Sequence, residues 1–190
     1  MKRALFCLAA MLLLFGAVMA ADGPVDKGSM VLGGTLFFQN QSGDLYESGG
    51  EALTTIRLMP SVGYFVAPNI MIGGQVDFSS LSQGGSSYTF WTAGPVVGYY
   101  FNLDQTRTEI KGAIYPYLRA FFMYGQESNS YDATGMMFGG QGGAVFMLSN
   151  AVGVDAGLQF RSDSYKPDGA DESTTGTTLW VGAGITAFLW

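Results

Sequence analysis

The feature that most constrains this chain is a period-2 alternation of apolar and polar residues, carried by segments that hold almost no charge. From Ile70 to Ser80 one face reads Ile72, Val76 and Phe78, and the other Gln75, Asp77 and Ser79. From Val152 to Arg161 one face is Val152, Val154, Ala156, Leu158 and Phe160, against Asp155, Gln159 and Arg161. Ile56, Leu58, Val62 and Tyr64 oppose Arg57 and Ser61, and Leu118, Phe122 and Tyr124 oppose Arg119. Successive side chains of a strand point to opposite faces, so each such strand separates an apolar phase from a polar one. Only 13% of the residues are charged, about half the share of a water-soluble domain, so the apolar faces are not all covered by a core. They face hydrocarbon.

Residues 1–20 have the parts of a secretory signal peptide: Lys2 and Arg3, an apolar run from Ala4 to Phe15, then small residues ending at Ala20. Cys7, the only cysteine, lies inside this run. The exported chain then has no thiol, which excludes disulfides and thiol catalysis. Removing Lys2 and Arg3 takes the formal charge from −6 to −8, and without a basic patch nucleic acid is not an expected partner. No later segment approaches the roughly eighteen uninterrupted apolar residues of a spanning helix.

Residues 21–27 read as a short, acidic periplasmic leader, and residues 28–190 as one domain. Eight strands are expected in it: 28–39, 53–66, 70–81, 87–101, 113–125, 135–148, 151–162 and 176–190. Each is long enough for a tilted strand to cross a bilayer. Ala67-Pro68-Asn69 and Ser149-Asn150 read as tight turns, whereas Asn40–Ala52, Leu81–Ser86, Gln126–Thr134 and Ser162–Thr175 read as longer polar loops, and the charged Asn102–Gly112 breaks the pattern. Short turns at one rim and longer loops at the other, with an even strand count, predict an all-β, eight-stranded antiparallel up-and-down transmembrane β-barrel. Closure is required because an open sheet edge in hydrocarbon leaves backbone groups unpaired.

Aromatic residues fall near the expected rims: Tyr64, Tyr99, Phe101 and Phe146 at the periplasmic end, and Phe38, Phe78, Tyr124 and Phe160 at the other. These are expected to form two interfacial girdles. The chain closes on Trp180–Trp190, and Phe188 and Trp190 are expected to face lipid in the periplasmic girdle. The opposite face of that strand, Leu179, Val181, Ala183, Ile185, Ala187 and Leu189, is too apolar for a water-filled lumen, which favours a packed barrel. Pro60, Pro95 and Pro116 fall inside strands and predict bulges or local breaks.

Pro60-Ser61-Val62-Gly63-Tyr64-Phe65-Val66-Ala67-Pro68-Asn69 leading to Ile72-Gly73, Gly94-Pro95-Val96-Val97-Gly98-Tyr99-Tyr100-Phe101, Tyr115-Pro116-Tyr117 and the closing aromatic together resemble the small porin-like outer-membrane β-barrel proteins of Gram-negative bacteria, of opacity-protein and OmpA type. The resemblance implies insertion by the outer-membrane assembly machinery, with Phe188 and Trp190 as its signal. It also implies contact with outer-membrane lipid and lipopolysaccharide, and no catalytic residues.

Inward-facing candidates are Arg57, Gln75, Asp77, Arg119, Gln141, Asp155, Gln159 and Arg161. Three cations, two anions and the amides between them suit a mutually satisfied network filling a narrow lumen, with a solute-selecting pore as the alternative. Histidine is absent, so a serine–histidine pair of the kind used by barrel-type lipid A acyltransferases and deacylases cannot be assembled. The acidic loop residues Asp44, Glu47, Glu51, Glu127, Asp132, Asp163, Asp168, Asp171 and Glu172, with Lys166, match no calcium-loop spacing and read as a solvated rim. Glycines such as Gly73, Gly84, Gly139 and Gly142 precede no helix and are expected to relieve curvature and crowding. No catalytic residue, metal or cofactor is expected, the chain is expected to be monomeric, and any extracellular partner is left open.

Overall fold

A computed structural model describes residues 21–41, 53–103, 109–128, 133–167 and 174–190. The expected signal peptide and most of the acidic loop residues lie outside the described residues, as do the side chains of Phe38, Glu127 and Lys166 within their strands. The fold is a closed, all-antiparallel, up-and-down barrel of transmembrane type. Its strands are β1 (Met30–Gln41), β2 (Leu53–Ala67), β3 (Ile70–Gln83), β4 (Ser86–Tyr100), β5 (Ile114–Ser128), β6 (Ala133–Met147), β7 (Val152–Pro167) and β8 (Thr174–Leu189), each paired with its sequence neighbours and β8 with β1. Three connections, together with both ends of the described chain, lie at what is called here the terminal end, and four lie at the loop end.

Most strands run past their expected ends, β5 to Ser128 and β7 to Pro167, because ladder hydrogen bonds continue where the apolar face has stopped. One expected loop disappears. Gln83 pairs with Ser86 across Gly84 and Gly85, both at positive φ, which makes a two-residue hairpin turn of the kind that matches strand twist. Loop lengths at that end are therefore uneven.

The outer wall carries the apolar faces. Leu36, Ile56, Leu58, Ile72, Val76, Phe78, Leu118, Phe122, Leu158 and Phe160 are exposed, while their sequence neighbours Arg57, Asp77, Arg119 and Gln159 are buried. Of the expected girdle residues, Tyr99, Phe101 and Phe146 stand exposed toward the terminal end, where Tyr64 is half-buried. Phe78, Tyr124 and Phe160 stand exposed on the outer face further toward the loop end. Tyr99 and Phe101 meet edge to face with ring centroids 4.9 Å apart.

In so narrow a barrel the inward faces crowd. A Cβ at Gly73, Gly94, Gly125, Gly139, Gly143 or Gly184 would overlap a carbonyl oxygen of the adjacent strand, so these inward glycines let the wall bend. Gly142 lies on the other face and has near its Cβ position only the Leu118 side chain and a more distant carbonyl. Pro60 and Pro95 produce lapses in pairing rather than bulges, and Pro116 produces neither. Around Pro60 the β2–β3 ladder lapses between Leu58↔Phe78 and Ser61↔Gln75, and around Pro95 the β4–β5 ladder lapses between Ala93↔Tyr124 and Val96↔Phe121, with the register unchanged. Pro116 breaks nothing, since it pairs with Ala144 and its carbonyl accepts a 2.8 Å hydrogen bond from Phe101 N–H. Among the described residues the register shifts at Phe65/Ala67, beside the β2–β3 turn.

The last strand reverses the expected facing. Phe188 is 1% exposed and points inward, and Trp190 packs partly buried against the same core, whereas Leu179, Val181, Ile185 and Leu189 are exposed outside. Cross-strand partners share a face, so Val31↔Phe188 and Asp155↔Gly184 fix the even-numbered residues of β8 inside. The apolar odd face, taken from sequence as a lumen too greasy for water, is the lipid side.

Candidate functional site

Among the described residues, polar and charged side chains gather out of water in the lumen. The eight inward candidates from the sequence arrive there from five strands: Arg57 from β2, Gln75 and Asp77 from β3, Arg119 from β5, Gln141 from β6, and Asp155, Gln159 and Arg161 from β7. All but Gln141 and Arg161, which are partly buried, are buried. They do not form one network. They divide into two layers.

The layer toward the loop end centres on Asp77, which is 0% exposed. Arg57 grips its carboxylate with two donors, Nε to Oδ1 at 2.6 Å and Nη2 to Oδ2. Arg161 Nη1 donates to Oδ2 at 3.0 Å and Ser79 Oγ to Oδ1 at 3.1 Å. Arg161 Nε also lies 2.7 Å from Asp163 Oδ1 as an ion pair. The Trp180 ring lies under Arg57, whose guanidinium carbon is 3.7 Å from the ring centroid. A flat cation over an indole face is attractive and also helps seal the layer.

The second layer is built on Asp155 and Arg119. Tyr117 hydroxyl donates to Asp155 Oδ1 at 2.6 Å, and Thr186 Oγ1 reaches Oδ2 at 3.5 Å. Gln141 Nε2 donates to Tyr117 hydroxyl oxygen at 3.0 Å, and Arg119 Nη2 donates to Tyr100 hydroxyl oxygen. Arg119 also lies over the Tyr117 ring, 4.4 Å from its centroid. Beside these layers sit thioethers: Thr92 Oγ1 lies 3.7 Å from Met137 Sδ and 3.9 Å from Met123 Sδ, and Gln75 Nε2 lies 3.9 Å from Met123 Sδ. Methionine fills an irregular interior well because it is unbranched and polarizable.

Below the second layer, the terminal end is closed by an apolar cork. Phe65, Tyr100, Tyr115 and Phe188 pack ring on ring, with Phe65–Tyr100 at 5.3 Å and Tyr115–Phe188 at 6.0 Å between centroids. The leader is part of it rather than a free tail. Gly23, Pro24 and Val25 are buried, Ser29 Oγ donates to Gly23 carbonyl at 2.6 Å, and Asn69 N–H donates to Val25 carbonyl at 2.8 Å. Gly28 N–H and Ser29 carbonyl both bond the backbone of Phe65, which extends β1 past its start.

Sequence reasoning missed several members of this interior. Asp163 was expected on an outer loop, but β7 continues to Pro167 and its odd-residue phase puts Asp163 inside, at 7% exposure. With it, the described lumen holds three cations, Arg57, Arg119 and Arg161, and three anions, Asp77, Asp155 and Asp163. Tyr100, Tyr117, Trp180 and Thr186 were missed as well. For Tyr117 the available signal was its shared parity with Arg119, two residues on; the others carried none.

As chemistry, the arrangement neutralises charge. Each carboxylate is tied by guanidinium, hydroxyl or both, and among the described residues no cluster of three or more Asp or Glu side chains could hold a metal ion. No protein-family model matches the sequence, and no curated protein matches it. Among solved structures the chain is similar to the outer membrane protein OprG from Pseudomonas aeruginosa, at 11% identity over 90% of this chain and 99% of that one, with a TM-score of 0.51. A de novo designed transmembrane β-barrel aligns at 15% identity over 90% of this chain and 100% of that one, with a TM-score of 0.38. At such identity the likeness to OprG speaks to the fold, a small outer-membrane type of β-barrel.

Proposed function

We propose that this chain is a non-enzymatic outer-membrane protein whose barrel serves as a structural element or as a scaffold for cell-surface interaction. The apolar outer wall supports residence in a bilayer, and the apparent signal peptide supports export. The termini then lie on the periplasmic side and the four loop-end connections face outward. In this reading the wall meets outer-membrane lipid and lipopolysaccharide, the assembly machinery inserts the chain as a monomer, and nucleic acid plays no part. The carrying observation is the filled lumen: Asp77 is fully buried within a paired layer, and Phe65, Tyr100 and Phe188 close the terminal end. An eight-stranded barrel is only just wide enough for side chains to fill, and here they fill it.

A narrow porin-like channel is the second reading. Arg119 Nε and Gln159 Nε2 are buried without a protein hydrogen-bond partner, as groups are that hold water along a path. Planar-bilayer recording on the purified barrel separates the two. The structural reading expects no steady unit conductance, and a steady conductance altered by Asp77→Asn or Arg119→Gln would replace it with the channel.

A further inference from the structure

The lumen is packed, but the wall is not. A cavity of about 710 Å³ lies against β2 to β5 and the start of β1, lined almost wholly by apolar atoms. Its rim includes the outward side chains Tyr64, Ile72, Val97 and Phe122, and its floor is thin because Gly73, Gly74 and Pro95 carry little or no bulk. The floor also coincides with the lapse in β4–β5 pairing at Pro95. Its lining stops at Gly74, Pro95 and Phe122, short of the outward Val76 and Phe78.

We propose that this groove is a binding site for one acyl chain of a phospholipid, held as a lipid that stays with the barrel. Three observations choose the occupant. The groove is continuous with the apolar wall formed by Ile72, Val97 and Phe122, each about half exposed, so whatever bathes the wall also reaches the groove. Its lining offers almost nothing to hydrogen-bond, and water entering a site without polar partners has no compensation. It begins at Met30 and Tyr64, near the terminal end, so the chain comes from the leaflet on that side. Under the orientation proposed above, on which this inference rests, that leaflet is phospholipid and not lipopolysaccharide.

The test uses the mature chain, folded in detergent with palmitoyl-oleoyl phosphatidylethanolamine, passed through gel filtration, and assayed for phospholipid per barrel by native mass spectrometry. Gly74 is the position to fill, because a Cβ there meets only Gly94 carbonyl oxygen at the ordinary distance of 3.8 Å. Gly34 is the control: it also faces outward, has nothing within 4 Å of a built Cβ, and lies outside the groove. Parent and Gly34→Leu are expected to keep about one phospholipid, and Gly74→Leu to lose about tenfold in retention. Val97→Trp, which fills the groove from its rim, should behave as Gly74→Leu does.

Equal retention by all four proteins, or none by the parent, overturns the site. So does retention of lipid A in place of phosphatidylethanolamine. Heat-modifiable gel mobility reports the folded barrel independently, so loss of lipid from a barrel that still shifts is not confused with failure to fold. Barrels that fold but partition into water without detergent would overturn the membrane reading itself, a different outcome from an empty groove.

Discussion

Replacing Asp77 by Ala tests whether the loop-end layer is dry. The substitution removes the carboxylate that accepts two donors from Arg57, one from Arg161 and one from Ser79. It leaves two guanidinium groups facing a single remaining anion, Asp163, which is ion-paired to Arg161 at 2.7 Å. Breaking a buried ion pair costs about 3–5 kcal/mol, because the orphaned charge is desolvated without compensation. The Trp180 face lies beneath Arg57 in parent and variant alike and so cancels, while Asp163, still paired with Arg161, holds the cost to the lower end of that range. The net expectation is about 3 kcal/mol, read as the shift in urea unfolding free energy of barrels in lipid vesicles.

Trp180 fluorescence reports the layer directly, and Trp91 on the outer wall serves as the internal comparison. A companion variant carries Arg57→Met with Asp77→Leu. It removes both charges, keeps the volume and leaves Arg161 with Asp163, so it should return to within about 1 kcal/mol of the parent. If Asp77→Ala alone costs less than about 1 kcal/mol, the range of solvated pairs, the layer is wet and the packed-lumen argument fails.

Two further substitutions address the wall and the cork. Phe188→Ala should cost about 3–5 kcal/mol, whereas Leu189→Ala, on the lipid side of the same strand, should cost clearly less; equal losses in urea unfolding would mean the strand faces the other way. Gly143→Val should prevent a heat-modifiable barrel, since its Cβ would overlap Ala156 carbonyl oxygen, while Gly34→Val should fold as the parent does. Folding of both variants would remove inward crowding as the reason for the glycines.

The alternation of β2, β3, β5 and β7 was sufficient to read the inward candidates on those strands, because opposite phases on the two faces leave a period that needs no tertiary knowledge, and the strand number followed from the turns and loops between eight segments. What stayed hidden shares one cause. Phe188, Trp180 and Tyr100 face inward although aromatic side chains also suit lipid, so residue type alone does not assign them. Only the register does: Val31 opposite Phe188, and Gln159 opposite Trp180. Asp163 was lost for a different reason. Strand ends were drawn where the apolar face stops, but backbone pairing is indifferent to what the outward side chain touches, so β7 runs on. The leader, with one Gly, one Pro and two Asp in seven residues, has no period at all, and its place beneath Phe65 follows from backbone hydrogen bonds that no side-chain pattern encodes.

The ladder between β1 and β8 runs only from Met30↔Leu189 to Thr35↔Gly184, whereas β1 pairs with β2 along its whole length to Gln41↔Leu53. Ring closure is therefore made by the shortest zipper in the molecule, joining the first strand to the last. Bringing these sequence-distant ends together carries the largest loop-closure entropy of any pairing here. A ladder so short and so distant in sequence is the natural final event of folding and the first line to part. Its few pairs include Phe188 opposite Val31, so the side chain that caps the cork also joins the ring. Sealing the lumen and closing the circle are then one step, and a chain that failed at either would fail at both.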